Sequence, residues 1–174
     1  IDGIKIPDGY VLDDGETIPN SYTFLGENNK PIVITLHHGT QDVTGQEGSD
    51  TSRTISRAIN ITKPNGKTTT ITQSVTFTRT GSKDLVTGKI KYGAWSNNGK
   101  QTLAQLESPK LDGYAVTPET IPALNVTPDS DKFTTVDVTY KALNNQQTID
   151  YVDKNGNTVG KQEVIGKTGE TVKV

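Results

Sequence analysis

The stretch 67–80 alternates between two kinds of side chain with a period of two. Every even-numbered position from 70 to 80 carries a hydroxyl group. The odd-numbered positions form the opposite face, which holds Ile71, Gln73, Val75, Phe77 and Arg79. A helix cannot sort side chains in this way, because its period is 3.6 residues. The pattern therefore predicts a long, half-buried β-strand whose outer face is coated with hydroxyl groups.

Four other stretches show the same alternation, namely 31–37, 53–62, 134–141 and the segment that begins at Ile149. In each of them the isoleucine, valine or aromatic side chains share one face, which is typical of a strand with one wet side. We expect the core of a complete domain to consist of the inward-facing residues Ile55, Ile59, Ile61, Ile71, Val75, Phe77, Trp95, Val136 and Val138.

Turn signals separate these strands, and helix signals are few. Asn65-Gly66 and Asn155-Gly156 each lie between two strand patterns and predict β-hairpins, because Asn and Gly accept the positive φ of tight turns. A pattern that suits one or two helical turns occurs only at 103–108 and 118–121. The predicted fold class is therefore β-rich α+β with very little helix.

Composition narrows the class of protein. Thr accounts for 27 of the 174 residues, and this β-branched polar residue suits strands with one exposed face. The absence of Cys excludes a disulfide framework and a thiolate metal site. A pI near 5.7 with scattered lysines argues against nucleic acid as a partner. No apolar run is long enough for membrane insertion.

An internal repeat divides the chain. The segment 5–10, KIPDGY, resembles 109–114, PKLDGY, and each is followed by a Glu-Thr-Ile-Pro sequence, a loop and a strand pattern. A second pattern, a strand followed by an Asn-Gly hairpin, occurs at 53–67 and again at 147–157. We interpret the first pattern as the back half of a unit and the second as its front half.

Placed in order, these halves predict one complete unit and two partial ones. Residues 51–143 form the complete unit, residues 1–45 are a back half, and residues 144–174 are the front half of the next unit. Tandem units of this size predict an elongated array with contacts between neighbouring repeats. We expect the two partial units to complement each other, with packing of Ile32, Ile34 and Leu36 against Ile149 and Tyr151.

Several of these stretches resemble a known family. Four segments together are similar to the second domain type of the mucus-binding (Mub) repeat of lactobacilli and relatives. They are 70–81, TITQSVTFTRTG; 83–88, KDLVTG; 92–95, YGAW; and the Asp-Gly-Tyr at 112–114. The sequence 149–157, IDYVDKNGN, resembles the opening of the neighbouring MucBP-like domain type. The resemblance covers most of the chain.

The resemblance implies tandem ubiquitin-like β-grasp domains in an elongated array. Residues 1–45 would be the back half of a MucBP-like (first-type Mub) domain, 51–143 a complete second-type Mub domain, and 144–174 the front half of the next MucBP-like domain. It also implies an extracellular, cell-wall-anchored surface protein whose anchor and signal peptide lie outside this stretch. The implied partners are mucin glycoproteins, in some members immunoglobulins, and neighbouring repeats of the same protein.

Two functions from different classes fit these features. The first is a repeat module of a bacterial cell-surface adhesin that binds mucin glycans, weakly per unit and through many copies. The second is a passive spacer or stalk repeat that projects a distal adhesive domain. We expect no enzyme, because no nucleophile–base constellation, paired-carboxylate motif or phosphate-binding loop stands out. The resemblance supplies no residue-level ligand-binding motif.

Two aromatic residues are the first candidates for a ligand surface. Tyr92 and Trp95 are predicted to lie in one short strand, three residues apart and on opposite faces, before a break at Asn98-Gly99. Trp95 suits either a stacking platform for a sugar ring or the centre of a core with few large side chains, and burial statistics favour the core. Tyr92 is the more open candidate for a surface role.

Metal ligands are sparse in the sequence, and we expect no cofactor. His37 and His38 are adjacent in a strand and point to opposite faces, so they cannot chelate one ion together. The sequence 153–157, DKNGN, has oxygen ligands at alternate positions, but the twelfth position of this loop is Val164 instead of a bidentate Glu, so a hairpin explains it better. Adventitious Ca²⁺ is left open at two acidic loop tips, 129–131 and 13–14.

Overall fold

A computed structural model of the chain describes residues 3–45 and 50–173. Within these residues the structure is nearly all sheet, with one short 3₁₀ segment and no α-helix, and no helix is long and apolar enough to cross a membrane. The strands in chain order are β1 (Tyr10–Leu12), β2 (Leu36–His38), β3 (Thr40–Val43), β4 (Ser52–Thr62), β5 (Thr68–Thr78), β6 (Gly81–Asp84), β7 (Ile90–Tyr92), β8 (Gln101–Leu103), β9 (Leu106–Glu107), β10 (Tyr114–Thr117), β11 (Thr120–Ile121), β12 (Leu124–Val126), β13 (Phe133–Ala142), β14 (Asn144–Val152) and β15 (Thr158–Lys167).

Contacts divide the chain into two compact units. Unit 1 contains the residues up to Arg53 together with Thr76–Gly99, and unit 2 contains Thr54–Val75 together with the residues from Lys100 onward. These units follow spatial contacts, whereas the predicted division into 1–45, 51–143 and 144–174 follows the sequence repeat. That division stays a prediction.

Unit 1 contains a two-stranded and a three-stranded sheet. In the first, β1 and β2 are antiparallel, with Tyr10 opposite His38. In the second, β6 lies between β3 and β7, and both pairs are antiparallel. Phe77, at 0% exposure, is buried in this unit, as its place on the inner face of the alternating stretch predicts.

Unit 2 is built on a four-stranded sheet in the order β10-β13-β4-β5, in which β13 runs parallel to β4. Two short antiparallel ladders, β9 with β11 and β8 with β12, accompany this sheet. The core of the unit is a cluster of Ile59, Ile61, Ile121 and Val138. Each of these side chains stabilises the fold by roughly 1.5–3 kcal/mol through burial.

The outer face of this sheet is polar, and its side chains bond across the strands. Thr70 Oγ1 donates to Asn60 Oδ1 at 2.9 Å, and Asn60 Nδ2 donates to Asp137 Oδ1 at 3.2 Å. Ser56 and Ser74 share a hydrogen bond of 2.9 Å between their hydroxyl oxygens. The predicted hydroxyl-coated outer face is therefore confirmed.

A charged side chain lies among the isoleucines of β4. Arg57 is 3% exposed. Its Nε and Nη2 donate to Gln73 Oε1 at 3.1 and 2.6 Å, its Nη1 to the Pro122 carbonyl at 2.8 Å, and its Nη2 also to the Ala104 carbonyl at 3.0 Å. These bonds replace the water that burial removes, so the guanidinium is tolerated inside the fold. They also explain why Gln73 lies on an otherwise apolar face.

Five of the nine predicted core residues are buried: Ile55, Ile59, Ile61, Phe77 and Val138. The prediction is wrong for Ile71, which is 44% exposed, and too strong for the partly buried Val75, Trp95 and Val136. Ile71 lies at the tip of the β4–β5 hairpin. Every residue from 62 to 72 is exposed, so nothing covers either face of the hairpin at this tip.

The local predictions are confirmed at the hairpins and wrong at several short segments. Gly66 and Gly156 both have φ of 84° in turns that join long strands. The segments 103–108 and 118–121 contain strand residues instead of helical turns, because β9 and β11 pair with each other. Of the predicted strand 31–37, only its last two residues belong to a ladder, in β2.

Candidate functional site

The three-stranded sheet of unit 1 presents a row of polar side chains. Asp42 of β3 lies directly opposite Ser82 of β6, and Ser82 lies directly opposite Lys91 of β7. Residues directly opposite each other in antiparallel strands point to the same face. Because neighbouring strands are about 4.8 Å apart, the row brings a carboxylate, a hydroxyl and an ammonium group together over about 10 Å.

The three side chains in this row have no recorded partner among the described residues. In the part of the chain that the structure describes, Asp42, Ser82 and Lys91 make no side-chain hydrogen bond or ion pair. Asp42 and Lys91 are exposed and Ser82 is partly buried, so water can satisfy these groups, and a polar ligand would replace that water with its own donors and acceptors.

A shallow cavity of about 400 Å³ lies over the row. Its lining consists of Asp42, Thr44, Thr80, Gly81, Ser82, Lys91, Tyr92 and Gly93. The volume lies within the range of small-ligand sites, which is about 300–1,000 Å³. Six of the eight lining residues carry a hydroxyl or charged group, although most of the exposed lining area is apolar, and this mixture suits a ligand such as a sugar that has both hydroxyl groups and apolar C–H faces.

Tyr92 belongs to the opposite face of the same sheet. It pairs with Gly81, and a Cβ atom placed on Gly81 would lie 3.1 Å from Cδ1 of the tyrosine ring. Glycine at position 81 therefore lets the tyrosine ring lie close against β6. The phenol hydroxyl donates to Asp50 Oδ2 at 3.4 Å.

Both predicted aromatic candidates contact one guanidinium group. The Arg79 guanidinium carbon lies 4.0 Å from the ring centroid of Tyr92 and 4.2 Å from that of Trp95. Arg79 Nε donates to the Asp50 carbonyl at 2.6 Å, which fixes the guanidinium in place. The prediction that the two rings lie on opposite faces of one strand is wrong, because β7 ends at Tyr92 and Trp95 lies outside it.

Trp95 is therefore neither a central core residue nor a bare platform. It is partly buried, and the guanidinium groups of Arg53 and Arg79 lie 5.1 and 4.2 Å from its ring centroid. Such cation–π contacts each stabilise a fold by about 0.5–2 kcal/mol. The aromatic cluster supports the strand that carries Lys91.

The two histidines bind separate carboxylates in unit 1. His37 Nδ1 lies 3.2 Å from Asp13 Oδ1, and His38 Nδ1 lies 2.7 Å from Asp84 Oδ2. The hydrogen bond from His38, with further bonds from the amides of Thr87 and Val86, lowers the pKa of Asp84 to about 2. Asp84 thus orders the β6–β7 turn beside the polar row.

The candidate calcium loop has its carboxylate occupied. Asp153 Oδ1 accepts hydrogen bonds from the amides of Asn155 and Asn157 at 2.8 and 3.0 Å, and Asp153 Oδ2 accepts one from Asn157 Nδ2 at 3.1 Å. The bonds from Asn157 are the main reason that the pKa of Asp153 is lowered. Residues 3–45 and 50–173 contain no cluster of three metal-ligating side chains. The hairpin interpretation is the one that the geometry supports.

The sequence did not single out Asp42, Ser82 or Lys91. They lie in three short strands, and β3 is separated from β6 by 37 residues, so their proximity depends on strand register. One signal of the neighbouring aromatic cluster was available, because Arg79 interrupts an otherwise apolar face. A partly buried charge needs ordered polar or aromatic partners, so such an interruption predicts a local cluster around it.

Comparison with known proteins gives consistent matches. The family model for the Muc B2-like domain matches residues 46–144, more than half of the chain. The crystal structure of Mub-RV is 29% identical, with a TM-score of 0.61, over 78% of this chain and 76% of that one. The type 2 repeat of the mucus binding protein MUB from Lactobacillus reuteri is 27% identical, with a TM-score of 0.51, over 77% and 76%. No curated protein matches the sequence.

Proposed function

This chain belongs to the Muc B2-like domain family, and on that premise we propose that it is a repeat module of a bacterial cell-surface adhesin that binds mucin glycans. The proposal is supported by the likeness to Mub-RV and to the type 2 repeat of a mucus binding protein. The family is in general one of binding domains and not of enzymes. Tandem β-grasp domains, an elongated array and a cell-wall anchor belong to the same proposal.

The polar row in unit 1 is the observation that carries the proposal to a particular surface. Asp42, Ser82 and Lys91 offer an acceptor, a hydroxyl and a donor with no partner among the described residues, beneath a cavity of about 400 Å³. A monosaccharide presents alternating hydroxyl donors and acceptors on a similar scale. Because the cavity is shallow and open, each unit binds weakly, and many copies supply avidity.

The spacer interpretation makes the opposite prediction, because a passive repeat needs no free polar groups at one site. The test uses the full chain at matched concentrations on immobilised mucin and on immobilised immunoglobulin. We expect the Asp42→Ala/Lys91→Ala variant to lose most of its mucin binding, about tenfold, with the circular dichroism spectrum unchanged. The matched control, Lys110→Ala/Asp131→Ala, removes the same charges from exposed positions in unit 2 and should bind normally.

Two results would contradict the proposal. Wild-type chain that binds mucin no better than a mucin-free surface would favour the spacer. Equal losses in the two double variants would show that net charge, and not the cavity, governs binding. Immunoglobulin binding that survives in both variants would place that second partner on another surface.

A further inference from the structure

The chain passes twice from one sheet to another through a single residue. Gly39 lies between β2 and β3, and Leu143 lies between β13 and β14. In each case the two strands belong to different sheets. The first connection lies wholly within unit 1 and the second wholly within unit 2. A connection of one residue leaves no length of chain in which a flexible linker could form.

In unit 1, Gly39 uses both of its backbone groups in hydrogen bonds. Its amide donates to the Gly9 carbonyl at 2.7 Å, and its carbonyl accepts the amide of Leu85 at 2.9 Å. Gly9 comes directly before β1, and Leu85 comes directly after β6. The connecting residue is therefore bonded to a residue that adjoins each sheet, the β1–β2 sheet on one side and the β3–β6–β7 sheet on the other.

In unit 2, Leu143 makes the same two bonds. Its amide donates at 2.8 Å to the carbonyl of Gly113, which comes directly before β10. Its carbonyl accepts at 3.0 Å the amide of Thr168, which comes directly after β15. The strand registers agree as well, because the first residue of β3 pairs with the last of β6, and the first residue of β14 pairs with the last of β15. The two connections are thus structural copies of each other.

We call Gly9, Gly39 and Leu85 the unit 1 joint, and Gly113, Leu143 and Thr168 the unit 2 joint.

Each joint contains a glycine where the chain approaches itself closely. Gly9 and Gly113 have φ of 83° and 80°. A Cβ atom on Gly9 would lie 2.6 Å from the carbonyl oxygen of Leu85. One on Gly113 would lie 2.6 Å from both Oγ1 and Cγ2 of Thr168. These distances are shorter than an ordinary van der Waals contact, so a side chain at either glycine would push the neighbouring turn away.

A histidine spans the unit 1 joint. His38 of β2 lies edge-on to Tyr10 of β1, with 5.2 Å between the ring centroids. Its Nδ1 lies 2.7 Å from Oδ2 of Asp84, the last residue of β6. His38 therefore contacts a residue of each sheet and adds a side-chain bond to the backbone bonds of Gly39.

An asparagine has the corresponding role in the unit 2 joint. Asn145 Nδ2 donates to the Leu143 carbonyl at 3.3 Å and to Thr168 Oγ1 at 2.8 Å. The place of His38 is taken here by Ala142, which cannot make such a bond. The two joints therefore share their backbone hydrogen bonds and differ in the side chain that reinforces them.

We propose that both joints are rigid, so that the two sheets on either side of each joint move as one body. A one-residue connection, two backbone hydrogen bonds and a close contact at a glycine all act at the same place. Bending at the joint would break these bonds together, which a freely flexible connection does not require. The chain thus passes orientation and tension from one sheet to the next through hydrogen-bonded backbone. This property is independent of glycan binding.

Residual dipolar couplings of the ¹⁵N-labelled full chain test the rigidity directly. In unit 1, the couplings of the amides in β1 and β2 and of those in β3, β6 and β7 should fit one alignment tensor. In unit 2, the couplings of β10 and β13 should likewise share a tensor with those of β14 and β15. A need for two different tensors at either joint would overturn the proposal for that joint.

A glycine substitution tests the close contact in unit 1. In Gly9→Ala the added methyl group displaces Leu85, so we expect hydrogen exchange at the amides of Gly39 and Leu85 to become at least tenfold faster. Gly15→Ala is the matched control, because Gly15 has a similar φ of 81° but nothing within 4 Å of an added Cβ atom. It should leave both exchange rates unchanged.

The same experiment applies in unit 2. Gly113→Ala should speed exchange at the amides of Leu143 and Thr168 by a similar factor. Gly156→Ala, at a φ of 84° and with nothing within 4 Å of an added Cβ atom, is its control. Equal exchange rates in a test variant and its control would overturn the proposal, because the joint would then tolerate a side chain. If a test variant does not fold, the dipolar couplings of the wild-type chain still decide between a rigid and a flexible joint.

Discussion

The guanidinium group of Arg79 stacks on the ring of Tyr92, with 4.0 Å between the guanidinium carbon and the ring centroid. The same guanidinium lies 4.2 Å from the ring centroid of Trp95 and donates to the Asp50 carbonyl. These contacts order the end of β7, the strand that carries Lys91. The face that supports the sheet and the face that offers free polar groups are thus two sides of the same strand.

Removing Arg79 should loosen this cluster. Arg79→Ala deletes two cation–π contacts and a charge-assisted hydrogen bond, so we expect a loss of about 1–3 kcal/mol in the free energy of unfolding. Trp95 is the only tryptophan in the sequence, so its fluorescence reports directly on the cluster. We expect a red-shifted emission maximum in Arg79→Ala and none in Lys83→Ala, an exposed residue of β6. An unchanged emission maximum in Arg79→Ala would mean that the guanidinium does not contact Trp95.

Phe77 and Ile71 lie on the same face of β5 but differ in burial, since Phe77 is 0% exposed and Ile71 is 44% exposed. Phe77→Ala should cost about 3–5 kcal/mol, because it leaves a cavity in a close-packed region. Ile71→Ala should cost less than about 1 kcal/mol, because the hairpin tip is already open to water. Urea unfolding of both variants measures the difference. A loss below about 1 kcal/mol for Phe77→Ala would show that this face is not the buried one.

The buried guanidinium of Arg57 depends on Gln73. Gln73→Ala removes the oxygen that accepts both Nε and Nη2, so Nε loses its partner and Nη2 keeps only the Ala104 carbonyl at a site that is 3% exposed. We expect a loss of about 2–4 kcal/mol in the free energy of unfolding. Gln105→Ala is the matched control, because Gln105 is exposed and its side chain bonds, among the described residues, to Glu107 alone. Comparable losses in the two variants would mean that Arg57 finds other partners.

Acid should weaken unit 1 through Asp84. The pKa of this carboxyl is lowered to about 2 in the folded chain, against about 3.9 for a free aspartate. A carboxyl group whose pKa is lower in the folded chain stabilises the fold at pH values above its pKa in the unfolded chain. This contribution is lost as the pH falls from about 4 towards 2. The melting temperature of the wild-type chain should therefore fall more steeply in this range than that of Asp84→Asn. Asp131→Asn, which alters an exposed loop carboxyl, should follow the wild type, and identical slopes in all three proteins would contradict the assignment.

The sequence predicts individual strands and hairpins better than it predicts how distant strands pair. The β4–β5 hairpin follows from the alternation in 67–80 and from Asn65-Gly66, because both signals are local. The row of Asp42, Ser82 and Lys91 could not be predicted, since it depends on the register of three short strands, one of which, β3, pairs with a strand 37 residues further along the chain. The inner-face positions of Gln73 and Arg79 were visible as polar interruptions, but their partners lie far away in sequence.

Chemical-shift mapping tests the central claim most directly. The ¹⁵N-labelled chain is titrated with mucin-derived O-glycans, and amide shifts are followed residue by residue. We expect the perturbed amides to lie at the cavity, on 42–44, 80–82 and 91–93, with a dissociation constant near the millimolar range that befits a multivalent module. Perturbations that are absent, or that lie on the polar outer face around Asn60 and Asp137, would contradict the assignment of the glycan site to this cavity.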